Sequence, residues 1–220
     1  MLNRITSATV GVILGIMLVL CVPVSGYAAA RVALVIGNGD YQSSPLKNPA
    51  NDARDVAKVL SSLGFDVISL IDANKRQMVE AINEFSSRLK RSEIGLFYFA
   101  GHGMQINGAN YLLPIEITVV DESDVEFEAV RADRVVAKMR AAENHLNVVI
   151  LDACRNNPFK RSFRSSSRGL ARMDAPKGTI IAYATSPGST AADGAGRNGI
   201  YTGHLLRFMA TPGLDIQDMF

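Results

Sequence analysis

Two side chains in this 220-residue sequence are placed as covalent catalysis would want them. His102 stands between Gly101 and Gly103 at the end of the apolar run 96–100, and Cys154 follows Leu151-Asp152-Ala153 at the end of another. A free thiol with a pKa of about 8.5 is mostly protonated at neutral pH, so it attacks well only when a nearby base takes its proton. An imidazole can take that proton and return it to a leaving group. Flanking glycines let a substrate backbone approach, and the amides of Gly103 and Cys154 can point at a developing oxyanion. Against this stand two plainer readings: a histidine that merely ends a strand, and a cysteine that acts as a small core hydrophobe.

Cysteine usage sharpens the choice. The other cysteine, Cys21, lies in an N-terminal segment where Arg4 precedes the apolar run 10–22 and Tyr27-Ala28-Ala29-Ala30 closes it. That pattern reads as a secretory signal peptide over 1–30, cleaved near Ala28 or Ala30. Its 13-residue apolar run is short of the roughly 20 needed to span a bilayer. Membrane attachment is expected only if the segment stays uncleaved, and Leu20 before Cys21 argues against a lipoprotein signal. Export to the periplasm or beyond would leave Cys154 as a single cysteine with no internal disulfide partner. A net charge of +2 with 20% charged residues gives no nucleic-acid footprint.

The elements that must position these groups alternate. Apolar runs at 31–36, 65–70, 94–100, 147–151 and 179–184 read as strands buried on both faces. Helical spacing marks Ala53, Val56, Ala57 and Leu60 after Asn48-Pro49, then Met78, Ile82, Phe85 and Leu89, then Val135, Val136 and Met139, and a last helix near 202–209. Residues 37–47 read as a loop, Asn107-Gly108 as a tight hairpin turn, and the acidic stretch 121–128 as a solvated loop. Such alternation predicts an α/β three-layer sandwich with a mostly parallel central sheet. Chemistry in these sheets collects beyond the carboxyl ends of the strands. With His102 two residues past the third run and Cys154 three past the fourth, both are expected on one edge.

Tyr98-Phe99-Ala100-Gly101-His102-Gly103 and Leu151-Asp152-Ala153-Cys154-Arg155 resemble the histidine and cysteine motifs of caspase-like cysteine peptidases (peptidase family C14), especially the bacterial metacaspase-like group. Their 52-residue separation fits the roughly 50 of caspases. Further likeness runs through residues 33–38, 51–53, 110–114 and 182–188. The resemblance implies a caspase-like (caspase-hemoglobinase) fold over 31–220, with a large-subunit-like part at 31–154, a linker at 155–177 and a small-subunit-like part at 178–220. It implies catalytic His102 and Cys154, and a primary pocket lined by Asp52 and Asp152. Two carboxylates in a closed pocket select a cation, because only lysine or arginine relieves their buried charge. A polypeptide cleaved after Arg or Lys is the expected substrate; a solvated first-turn aspartate is the plainer reading of Asp52, and a loop hydrogen bond that of Asp152.

The basic linker offers Lys160, Arg161, Arg164, Arg168 and Arg172 as candidate self-cleavage sites, or simply a solvated loop. No metal or other cofactor is expected. Asp121, Glu122 and Asp124 invite calcium as in some metacaspases, but their spacing follows that family pattern poorly. His145 and His204 are too dispersed for a zinc site, and Gly37-Asn38-Gly39 has Gln42 where a dinucleotide fingerprint needs glycine. Two rivals stand beside the peptidase: a catalytically inactive interaction module on the same fold, and an ordinary doubly wound hydrolase or nucleotide-binding protein. The last residues after Asp215 look like the start of another helix, as if the domain were cut short or followed by others.

Overall fold

Strands that are apolar on both faces need helices on both, and the chain supplies them in turn. The computed structural model describes residues 30–154, 169–184 and 196–220, with the backbone alone at Cys154. The elements are β1 (Arg31–Gly37), α1 (Pro49–Ser62), β2 (Phe65–Ile71), α2 (Lys75–Leu89), β3 (Ile94–Ile106), β4 (Ala109–Leu112), α3 (Asp124–Glu128), β5 (Val130–Arg131), α4 (Ala132–Ala142), β6 (Leu146–Cys154), β7 (Thr179–Tyr183) and α5 (Ile200–Phe208). Residues 1–29 of the expected 1–30 signal peptide, the linker residues Lys160, Arg161, Arg164 and Arg168, and the 185–188 part of the last motif lie outside the described residues. Among the described residues no helix is long and apolar enough to cross a membrane.

Five strands run parallel in the order β2-β1-β3-β6-β7, and β4 and β5 extend the sheet antiparallel from the far end of β3. Alternation sorts the side chains. Leu34, Ile36, Phe97 and Phe99 pack with Met78 and Phe85 of α2 and Met139 of α4 on one face. Ala33, Val35, Tyr98 and Ile150 pack with Val56 of α1 and Leu205 of α5 on the other. The result is the three-layer α/β sandwich that the alternation predicts.

Local chemistry sets the helix limits. At α2 the Asn74 side chain accepts from the Gln77 amide at 3.0 Å while Gln77 Oε1 accepts from the Asn74 amide at 2.9 Å, a reciprocal cap. Asn48 precedes α1 as expected but makes no side-chain cap; its amide group is used elsewhere. Gly64 ends that helix with φ at 82°, a conformation glycine adopts without cost. Where α1 crosses β1 the two backbones nearly touch: a Cβ on Gly37 would lie 2.2 Å from the Pro49 carbonyl oxygen and 2.5 Å from Ala53 Cβ. Gly37→Ala is therefore expected to destabilise the fold by about 1–3 kcal/mol through overpacking, read as a lower urea midpoint at unchanged slope.

Two expectations need correction. The third strand does not stop at residue 100 but continues through His102 to Ile106, because β4 takes over the hydrogen bonding that β1 relinquishes. The acidic stretch is not wholly loop. Residues 124–128 form α3, and the Asp121 and Asp124 carboxylates accept from amides of their own turn, those of Ser123, Val120 and Asp121.

Candidate active site

His102 and Cys154 are register partners in the parallel pairing of β3 with β6. Neighbouring strands lie about 4.8 Å apart, so these two backbones are as close as a sheet allows. The expectation of a shared edge holds, although both residues end up inside strands rather than beyond them.

The imidazole is 2% exposed and held by the loop after β1. Its Nε2 lies 2.7 Å from the Ser44 carbonyl oxygen. A carbonyl can only accept, so the proton belongs on Nε2 and Nδ1 is the basic nitrogen of the neutral ring. Tyr41 packs against the ring with centroids 4.5 Å apart. The same tyrosine enters the ladder beside it: the His102 amide donates to Tyr41 Oη at 3.0 Å, and that hydroxyl donates to the Leu113 carbonyl at 2.9 Å. On the return side the Leu113 amide donates to the His102 carbonyl at 3.0 Å. Hydrogen-bonded and open pairs alternate in an antiparallel ladder, so with 102 and 113 bonded, the Gly103–Leu112 pair is open and the Gly103 amide points away from β4, toward the β6 side.

The glycines have a different reason from the one their type suggests. A Cβ on Gly101 would meet Tyr41 Oη at 2.8 Å and the Asn38 carbonyl at 3.1 Å; one on Gly103 would meet Ala153 Cβ at 2.9 Å. They make room for the protein's own packing before any substrate. Asn38, fully buried, ties this corner together: its side chain bonds both the amide and the carbonyl of Ala73 and the carbonyl of Leu113.

The two pocket candidates also converge. Asp52 is 2% exposed, not the solvated first-turn residue of the plainer reading. Its Oδ1 accepts from the Gly199 amide at 3.0 Å. Asp152 Oδ2 accepts from Thr202 Oγ1 at 2.6 Å. Both carboxylates face Gly199, where a Cβ would lie 3.2 Å from Asp52 Oδ2 and 3.7 Å from Asp152 Oδ2. Behind them the buried Tyr98 hydroxyl is 2.5 Å from Thr202 Oγ1; since threonine gives its proton to the carboxylate, the tyrosine donates to threonine. Burial pushes the Asp52 carboxyl up to about 6, hydrogen bonds from Asn198 and Gly199 oppose the rise, and the charges of Asp152 and Asp55 add to it. The Tyr201 phenol is also raised, by burial and then by the Asp152 charge.

The peptidase C14 caspase-domain model matches residues 30–220. The chain belongs to the caspase-domain family. It is also 29% identical over 183 residues to mucosa-associated lymphoid tissue lymphoma translocation protein 1 of Homo sapiens, and likewise to its Mus musculus homolog. Those matches cover 83% of this chain and 21% of each relative, so the chain spans about a fifth of the length of the curated relatives it matches. The family is one of caspase-like proteases, which act on polypeptides.

Other candidates fall away from this caspase-domain site. His145 and His204 are exposed, the former at the amino end of β6, opposite the edge that carries His102. Arg172 is the linker candidate within the described residues; it is exposed but pinned on both sides, because Ala171 exchanges two bonds with the Asn110 side chain and the Met173 amide donates to Tyr183. Sequence reasoning missed Tyr41, Ser44, Gly199 and Thr202. A tyrosine in a loop otherwise rich in glycine, serine and proline was the one available signal.

Asp52 has a measurable consequence for the caspase domain's stability. Its folded pKa, about 6, lies above the unfolded value of about 3.9, so between these values the folded state holds more protons. This contribution is full below about pH 4 and lost as pH rises through about 6. Relative to the parent, Asp52→Asn is expected to gain stability from pH 4.5 to pH 7 in urea titrations. A constant difference across that range would show that the carboxyl is not raised.

Proposed function

We propose that the chain is an exported cysteine endopeptidase that cleaves after Arg or Lys, with Cys154 as nucleophile and His102 as proton carrier. The observation that carries this reading is the register pairing of His102 with Cys154, on a histidine whose Nε2 proton is already committed to Ser44. In the first step Nδ1 takes the thiol proton and sulfur attacks the scissile carbonyl carbon. The oxyanion is met by the amides of Gly103 and Cys154, which exchange their β3–β6 ladder bonds for it. Collapse breaks the C–N bond, and the imidazolium gives its proton to the departing amine. Water then attacks the thioester, His102 takes its proton, and the thiolate leaves. Asp52 and Asp152 receive the cationic side chain before the scissile bond. Thiol and imidazole supply both roles, so the reaction needs no metal or other cofactor, and activity should survive chelators.

Parent and Cys154→Ala are compared under reducing conditions on fluorogenic peptides that end in arginine, lysine or aspartate. Hydrolysis by the parent of the basic peptides alone, absent from the variant, is the expected result. Equal signals from both proteins would overturn the peptidase reading in favour of a non-catalytic interaction module.

A further inference from the structure

One face of α1 holds a strip of chain from the far end of the sequence. Asn48, Asn51, Asp52 and Asp55 share that face at helical spacing. Asn48 Nδ2 donates to the Gly196 carbonyl at 3.1 Å and Asn51 Nδ2 to the Arg197 carbonyl at 3.3 Å. Arg197 grips Asp55 with two bonds, Nε to Oδ2 at 2.9 Å and a terminal nitrogen to Oδ1 at 3.0 Å. Asn198 Nδ2 adds a third to Asp55 at 2.9 Å, and the Gly199 amide reaches Asp52 at 3.0 Å. Four successive residues are thus fastened to one helix face more than 140 positions away.

We propose that Arg197 and Asp55 are positioning residues for the acidic pocket, a latch that fixes the spacing between Asp52 and Asp152. The proposal rests on reading those carboxylates as the specificity pocket. Gly199 is the residue before α5, and α5 carries Thr202, the donor to Asp152. Asp52 sits on the other wall, on α1. The strip therefore joins the helix that bears one carboxylate to the helix that orients the other. Exposed ion pairs contribute little by themselves, and Arg197 is 61% exposed. Here the two-pronged guanidinium geometry adds direction, and the neighbouring bonds add register.

The test compares the parent with Arg197→Ala, Arg197→Lys, Asp55→Asn and the double variant Arg197→Ala/Asp55→Asn, all first checked for folding by circular dichroism. On an arginine peptide KM should rise about tenfold in the alanine variant, with kcat within about twofold. Lysine, which keeps the charge but loses the fork, should fall between. The double variant should be no worse than the poorer single one, as coupled residues require. Alkylation of the thiol by iodoacetamide should be unchanged, and amide exchange over 196–208 should quicken. Unchanged KM and unchanged exchange in folded single variants would overturn the latch. If the parent shows no preference for basic peptides, the pocket reading falls, and exchange over 196–208 alone then decides whether the strip is latched by this pair.

Discussion

His102→Ala is expected to lower kcat/KM by about a thousandfold, with a pH profile that betrays the cause. Without the imidazole the thiol must ionise by itself, and at pH 7 only a few per cent of a free cysteine is thiolate. The variant's residual rate should therefore climb with pH until about 8.5, and the parent should not share that climb. His102→Gln tests the alternative that the loss is architectural, since an amide side chain has a nitrogen to offer the Ser44 carbonyl yet cannot accept a proton at neutral pH. Equal losses in the two variants locate the effect in proton transfer. Rescue by glutamine would reduce His102 to a brace for the loop, and retention of more than a tenth of parental activity in the alanine variant would remove it as the proton carrier.

The second large effect concerns the acidic pair. Removing one partner of a desolvated charge contact costs about 2–5 kcal/mol, so Asp152→Asn should depress kcat/KM on arginine peptides by about a hundredfold or more. A peptide ending in citrulline, which keeps the shape and drops the charge, should be nearly indifferent to the change. Asp52 adds a pH dependence of known sign. With its carboxyl raised to about 6 by burial, the empty pocket is partly protonated in mild acid, and an incoming guanidinium favours the ionised form. Binding then expels a proton, so KM for arginine peptides should fall as pH rises through about 6. Asp52→Asn should abolish that fall while leaving the alkylation rate of Cys154 as it was. A parent KM flat from pH 5 to 7.5 would contradict the electrostatic account of the pocket.

Much of this geometry was readable in the sequence, and the reasons are physical. Continuous apolar runs such as 31–36 and 147–151 have few alternatives to a strand covered on both faces. Asn107-Gly108 announced its turn because both residues adopt positive φ, 49° and 80°, which that dipeptide tolerates best. The common edge of His102 and Cys154 followed from parallel topology. What stayed hidden depends on partners remote in sequence. Strand β3 reads as ending at residue 100, where glycines begin, because the residues that continue its pairing belong to β4. Tyr41 and Ser44 sit in a segment without periodicity, and nothing local says that one hydroxyl will lie between His102 and Leu113. Asp52 enters the pocket reading only through the family resemblance, and its own segment reads equally as a solvated first helical turn; its partners at residues 198 and 199 lie on the far side of the linker.

The unbroken run of β3 through His102 makes its orientation sensitive to insertions and deletions. Side chains alternate along a strand, so adding or losing a single residue between 95 and 101 would turn the imidazole toward the layer of α2 and α4. Length changes are therefore absorbed at least cost in the hairpin turn or the loops, while a change in the stretch leading into His102 needs a compensating bulge to keep the imidazole on its face.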